Sequence, residues 1–277
     1  MRVALCIGNI AELGRRIPKA YITGYNNVKT NILDKCDNVD VFLHSQEPHL
    51  KDELLQLYKP VDCKFETGIL DLSSIIPDRC KNIPTVASML YSRSIVGKLK
   101  SDFEKSNRFR YDWVIFVRYD VGTTPQGGDI EHIYFDPTLD SNYIYTAMFT
   151  QLNAGIQDQW WYSNSADSDI MFSLYENLSD YLTEESDYLK CVTNGWIYSR
   201  VQPEGEFSNE LLKPESVRRS DQHLPLWHTS NPHYLYKWHL YKHNLLSLDK
   251  MKFICTRDNY QYVFPEEPHP NIIRAKL

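Results

Sequence analysis

The chain opens on five consecutive apolar residues, Val3-Ala4-Leu5-Cys6-Ile7, which stop at Gly8-Asn9. A continuous apolar run of this length, bounded by a breaker, predicts a strand buried on both faces. After a polar loop holding Gly14, Arg15 and Arg16, Tyr21, Tyr25, Val28 and Ile32 recur at helical spacing. Val39-Asp40-Val41-Phe42-Leu43 is the next strand and ends at His44-Ser45, and residues 61–65 are a candidate third strand. Alternation of strand and helix argues for layered α/β architecture with a parallel sheet.

Farther along, Met89, Val96, Leu99 and Phe103 predict one face of a long helix from Thr85 to about Lys105. Trp113-Val114-Ile115-Phe116-Val117 is the clearest central strand. It ends in Arg118-Tyr119-Asp120, before a breaker loop from Gly122 to Gly128. Tyr143 to Ala147 reads as another strand. Asp167 is placed to cap a helix whose apolar positions run from Ile170 through Met171, Leu174, Tyr175 and Leu178 to Tyr181. Beyond residue 185 prolines at 203, 214, 225 and 232 interrupt the pattern, and five histidines crowd between His223 and His243. The expected organisation is one domain over 1–277, with a binding half over 1–125 and a second half with a C-terminal elaboration over 126–277.

Composition narrows the function classes. At 277 residues and 42% hydrophobic, the chain buries roughly three quarters of its unfolded surface and needs no disulfide or metal staple. A net charge of −6, from 30 basic and 36 acidic residues, argues against a nucleic-acid or membrane-surface binder, whose phosphates call for a basic face. A few clustered arginines still suffice for a small phosphate-bearing ligand. Six cysteines lie scattered without a metal-ligand spacing, and no stretch approaches 18 apolar residues. The expectation is a soluble, cytoplasmic protein with no membrane span. Nineteen tyrosines and six tryptophans suit stacking on bases or sugar rings, although an aromatic-rich core accounts for them equally.

Candidate chemistry gathers at strand ends, where open α/β sheets bind ligands. Gly8-Asn9 with Arg15 and Arg16, His44-Ser45, and Arg118-Tyr119-Asp120 all fall there. Arg118 and Asp120 have the chemistry to pair with a diphosphate and hold a divalent cation, or simply to cap the sheet as a salt bridge. Gly8 permits close backbone approach, and Arg15 or Arg16 offers a phosphate fork. Arg93 shares the helical face of Met89 and Val96, so it either snorkels or points into a pocket. Asp158, in Gln157-Asp158-Gln159-Trp160-Trp161, has large aromatic neighbours that would raise its pKa toward that of a general base. Its alternative is a turn residue beside core tryptophans. Histidines near His228 and His239 are candidate metal ligands, although packed or exposed histidines are commoner.

Taken in order, these segments resemble a family of small nucleotide-sugar glycosyltransferases encoded in capsule, cell-surface or large-virus glycan loci. The similar stretches are Val3 to Arg16, Val39 to His44, Tyr91-Ser92, Tyr111 to Ile115 ending in Arg118-x-Asp120, and Asp158 some forty residues later. Asp169 with Met171, Leu174-Tyr175, and Pro203-Glu204 leading into Phe207 to Leu212 complete the set, which spans residues 1–215. The resemblance implies a GT-A-like, Rossmann-type central sheet flanked by helices. It also implies transfer of a sugar from a nucleoside diphosphate sugar, UDP favoured, to a hydroxyl of a glycan acceptor.

Such enzymes usually hold Mn²⁺ or Mg²⁺ on an Asp-x-Asp pair; here Arg118 stands at the first position and leaves Asp120 alone. Under this resemblance Gly8, Asn9 and His44 serve the nucleoside side, and Arg15, Arg93 and Arg118 belong to the donor site. Asp120 takes the cation if one binds, Trp160 and Trp161 form an acceptor platform, and Asp158 is the base of an inverting transfer. A sugar-nucleotide nucleotidyltransferase shares the layering, but the stretch from Gly8 to Gly14 lacks its glycine density and lysine. A non-catalytic carbohydrate-binding protein explains the aromatics but not the charged residues at strand ends.

Overall fold

The computed structural model describes residues 1–9, 17–67, 83–123, 132–147, 156–183, 185–193, 231–255 and 272–275. Eight strands form one sheet: β1 (Val3–Gly8), β2 (Val39–Ser45), β3 (Asp62–Phe65), β4 (Trp113–Arg118), β5 (Ile144–Ala147), β6 (Trp160–Ser163), β7 (Met251–Cys255) and β8 (Ile272–Arg274). Their spatial order is β3-β2-β1-β4-β6-β5-β7-β8. The first four run parallel. β6 is antiparallel to both β4 and β5, and β5, β7 and β8 are again parallel. The result is an α/β protein with a mostly parallel mixed sheet, compatible with a Rossmann-like fold. Strands from residues 1–125 and from 126–277 share this sheet.

Seven α-helices flank it among the described residues: α1 (Ala20–Val28, continued by a π turn at Lys29–Leu33), α2 (Lys51–Tyr58), α3 (Ile83–Asn107), α4 (Ser165–Phe172), α5 (Leu178–Leu182), α6 (Asp187–Thr193) and α7 (Pro232–Lys242). The pleat divides the apolar residues of each strand between two cores. Val3, Leu5 and Ile7 of β1 join Trp113, Ile115 and Val117 of β4 beneath α1 and α2, through Tyr21, Val28, Leu54 and Tyr58. Ala4, Cys6, Val114 and Phe116 face the other way, onto Leu90 and Val96 of α3 and onto α4 and α7. The chain winds outward from β1 to β3 and then returns to place β4 on the far side of β1. Right-handed crossovers put the helices of the two windings on opposite faces, which is why α3 lies across the sheet from α1 and α2.

Close approach at one glycine brings α1 onto the end of β4. A Cβ on Gly24 would stand 1.8 Å from the Tyr119 carbonyl oxygen, so any larger residue pushes the helix off the turn that carries Arg118 and Asp120. Where α3 meets α4, Lys100 is fully buried. Its ammonium reaches Glu104 Oε2 (3.1 Å), Ser165 Oγ (2.9 Å) and Asp169 Oδ1 (2.5 Å). Arg110 adds a second cation to Asp169 and Glu104. The other Glu104 oxygen accepts from the Tyr111 amide and the Ser165 hydroxyl. This satisfied network sits near the start of β4, away from its carboxyl end.

Several elements differ from the expectations. The cap of α4 is Asn164, whose side chain accepts from the Asp167 amide at 2.9 Å, so Asp167 is the third residue of the helix. The helix does not continue to Tyr181. Ser173 turns its hydroxyl back onto Ile170 O (2.9 Å) and Asn177 bonds Ser173 O (2.8 Å), both competing with the helical ladder. Trp160-Trp161 opens β6, and the predicted weak pattern after residue 185 contains α6, α7, β7 and β8. None of the helices is long and apolar enough to cross a membrane among the described residues.

His239 of α7 is packed, not poised as a metal ligand. Its Nδ1 lies 2.8 Å from the Tyr181 hydroxyl and its Nε2 2.7 Å from Ile170 O. A neutral ring, donating from Nε2 to Ile170 O and accepting from the Tyr181 hydroxyl at Nδ1, fits both partners. Burial, aided by the nearby His243 and opposed by the Ile170 bond, pushes its pKa down to about 4 from 6.5. The unfolded chain therefore binds a proton that the native state refuses between those values. Stability is full above pH 6.5 and falls as pH drops toward 4, by about 3 kcal/mol from this group alone. Urea midpoints at pH 7 and pH 4.5 should drop more for the parent than for His239→Gln, and equal slopes would remove His239 as the cause.

Candidate functional site

The reversal of winding leaves a switch point between β1 and β4, the place where open sheets gather ligands at the carboxyl ends of their strands. Gly8 ends β1 directly opposite Arg118, which ends β4. A Cβ on Gly8 would stand 3.2 Å from Ser92 Oγ, so the strand end is pressed against α3. Asn9 follows with φ of 105°, a left-handed conformation that Asn tolerates better than most residues. Its amide donates to Ser92 Oγ at 2.7 Å.

Behind this turn lies a buried relay. His44, at the end of β2, places Nδ1 2.7 Å from Ser92 Oγ and Nε2 2.9 Å from Glu66 Oε1, just past β3. An ionised carboxylate only accepts, so Nε2 carries the proton and Nδ1 accepts from the serine hydroxyl. Burial holds His44 below its usual range against the opposing pull of Glu66, which favours this neutral tautomer. Burial raises Glu66, but hydrogen bonds from Lys64, His44 and Tyr91 outweigh it and bring its pKa down to about 2. His44 was expected on the nucleoside side. It is completely buried, so it positions the Asn9 turn through Ser92 and does not line the site. Ser92 and Glu66 escaped assignment from the sequence. Glu66 was within reach, because parallel strands bring all their carboxyl ends to one edge.

Beyond β4 the chain makes a tight turn. Arg118 forks onto Asp120, Nε to Oδ1 at 2.9 Å and Nη2 to Oδ2 at 2.6 Å. The Thr123 amide and hydroxyl both donate to Asp120 O, and Gly122 completes the turn at φ of 75°. The salt-bridge alternative is what this pair forms. Arg118 is 19% exposed and Asp120 only 1%, so the cation faces outward.

The antiparallel entry of β6 brings a second carboxylate to the same edge. The Arg118 amide donates to Gln159 O at 3.1 Å, which sets Asp158 one residue beyond the end of the β4–β6 ladder. Asp158 Oδ2 accepts from Arg93 Nη2 at 2.8 Å, and both side chains are almost fully buried. The Arg93 guanidinium also packs over the rings of Phe116 (4.9 Å) and Tyr236 (5.2 Å). Oδ1 of Asp158 lies 3.5 Å from His233 Nδ1, which itself bonds Ile156 O at 2.9 Å. Arg93 therefore neither snorkels nor enters an open pocket; it anchors Asp158.

Two expectations are corrected here. Asp158 was expected to have a raised pKa from flanking aromatics. Burial does push it up, but Arg93, His233 and Arg118 outweigh burial and hold it well below the usual carboxylate range. Trp160 and Trp161 were expected to form an acceptor platform. As neighbours in a strand they point to opposite faces of the sheet, Trp160 into the core beneath α1 and Trp161 into the core beneath α3. Neither is exposed, so they pack the interior and leave the acceptor side to other residues.

A divalent cation fits these residues poorly. Both Asp120 oxygens are engaged by one guanidinium, Asp158 is engaged by another, and no group of three metal-ligating side chains occurs among the described residues. Arg15, Arg16 and His228 lie outside the described residues. No protein-family model and no curated protein matches this sequence.

Proposed function

We propose that this chain is a glycosyltransferase that moves a sugar from a nucleoside diphosphate sugar, UDP favoured, to a hydroxyl of a glycan acceptor. The mixed sheet is read as GT-A-like. One observation carries the proposal: Gly8-Asn9 and the outward-facing Arg118 stand side by side at the switch point, with Asp158 added at the head of β6. A turn with a partly exposed guanidinium suits the departing diphosphate, and a carboxylate one strand away suits the acceptor side. The burial of Trp160 and Trp161 in the core leaves the acceptor side of this reading to other residues.

In the transition state the anomeric carbon becomes cationic while negative charge collects on the leaving diphosphate. Catalysis then calls for positive charge aimed at the phosphates and a proton acceptor for the incoming hydroxyl. Arg118 takes the first role in this proposal, with Arg15 expected to join it. Asp158 takes the second through Oδ1, since Oδ2 is held by Arg93. The Arg93 pair keeps Asp158 ionised far into acid, which secures its charge state but weakens it as a base. His44, Ser92 and Glu66 hold the Asn9 turn in shape.

Incubating the full chain with a panel of UDP- and GDP-sugars and following nucleotide release tests the reading. Release from one donor, accelerated by an accepting glycan, is expected. Glycan binding without any nucleotide affinity or release would replace the transferase with a non-catalytic carbohydrate-binding protein.

A further inference from the structure

The two aspartates beside the ends of β4 and β6 each already have an arginine. Asp120 is gripped at both oxygens by Arg118, two residues away on the same turn, and Asp158 is held by Arg93 across from α3. Two aspartates against two arginines leave this cluster without net charge. Divalent cations such as Mg²⁺ and Mn²⁺ bind where hard oxygen donors carry uncompensated negative charge. Among the described residues nothing of that kind is presented here, because the Asp120 oxygens point into the Arg118 fork and Asp158 is held by Arg93.

The order of burial points the same way. In the Arg118–Asp120 pair the anion is the inner member, 1% exposed, and the cation the outer one at 19%. A ligand approaching the end of β4 meets guanidinium first. A metal would have to displace Arg118 from a bidentate bond and reach a carboxylate lying beneath it. Two-point arginine bonds are among the stronger polar contacts in proteins, and freeing Arg118 would leave an unpaired cation beside the metal it admits. The Thr123 amide and hydroxyl both close on Asp120 O and so fix the backbone of the turn that carries the pair.

We propose that this site takes its nucleoside diphosphate without a divalent cation, with Arg118, oriented by Asp120, supplying the positive charge at the phosphates. The proposal rests on the transferase reading above and deepens it. Asp120 becomes a positioning residue whose task is to aim the guanidinium outward from the end of β4.

Calorimetric titration of the full chain with UDP and with GDP, first in EDTA and then in excess Mn²⁺, tests it. Binding of one nucleotide in EDTA is expected, with a Kd changed less than about threefold by Mn²⁺, alongside no uptake of Mn²⁺ alone. Arg118→Ala and the charge-keeping Arg118→Lys, both checked for folding by circular dichroism, should each weaken that binding about tenfold or more, since neither can form the fork. Nucleotide binding that appears or tightens about tenfold only with Mn²⁺, or unaltered affinity in both folded variants, would overturn this inference and leave the transferase standing. Absence of nucleotide binding in every condition would overturn the transferase reading and take the inference with it.

Discussion

Replacing Lys100 by alanine is expected to cost about 3–5 kcal/mol of folding stability, because it takes the buried counter-charge from Glu104 and one of two cations from Asp169 at the α3–α4 joint. Glu104 is 1% exposed, and Arg110, half in solvent, holds Asp169 at 2.7 Å but reaches Glu104 only at 3.4 Å. Domains are stable by only about 5–15 kcal/mol in total, so this variant should lie near the limit of folding at 37 °C. The decisive comparison is a charge-balanced variant. Lys100→Met combined with Glu104→Gln and Asp169→Asn should recover much of the loss, since removing a whole buried ionic group costs far less than breaking it. Urea midpoints of the parent and both variants read this directly. A loss below about 1 kcal/mol for Lys100→Ala would show that water or Arg110 compensates, and that the network is not the joint described.

The second large effect concerns Asp158. If it takes the acceptor's proton, Asp158→Asn should lower transfer by about 10²–10⁴-fold while nucleotide binding survives. The substitution also leaves Arg93 buried without its counter-charge, so some thermal stability will be lost. Adding Arg93→Met to Asp158→Asn separates the two: the double variant should regain stability but not activity. The pH profile gives a further reading. With Arg93 holding the carboxylate ionised well below the usual range, activity should show no acid limb near pH 4 that belongs to Asp158. Any decline seen there should instead track the loss of folded protein to which His239 contributes. Full turnover in Asp158→Asn would remove the residue from the chemistry and leave it a structural anchor for Arg93.

The strands that build the site were legible because each is a local signal. Val3 to Ile7, Val39 to Leu43 and Trp113 to Val117 are apolar runs with polar residues at their carboxyl ends, and parallel pairing brings those ends together whatever else the chain does. That rule alone puts Gly8 and Arg118 at neighbouring strand ends, with Asp120 on the turn that follows. The break after α4 at Ser173 and the cap at Asn164 were not legible, since a side-chain hydrogen bond settles each.

The tertiary structure decided the partners. Nothing in the spacing of Arg93 and Asp158, 65 residues apart, says that they meet. Only the antiparallel entry of β6 beside β4 puts that carboxylate against α3 and reverses the direction of its expected pKa shift. The same strand sends Trp160 and Trp161 to opposite cores, where a linear reading sees two adjacent aromatics. His44, Ser92 and Glu66 likewise converge from β2, α3 and the end of β3. Periodicity along a chain reports which residues leave water, because burial is a property of each residue's own surface. Which charge a buried group then meets depends on how distant segments are laid side by side. In this protein that arrangement turned candidate ligands into ion pairs and a candidate contact residue into an internal support.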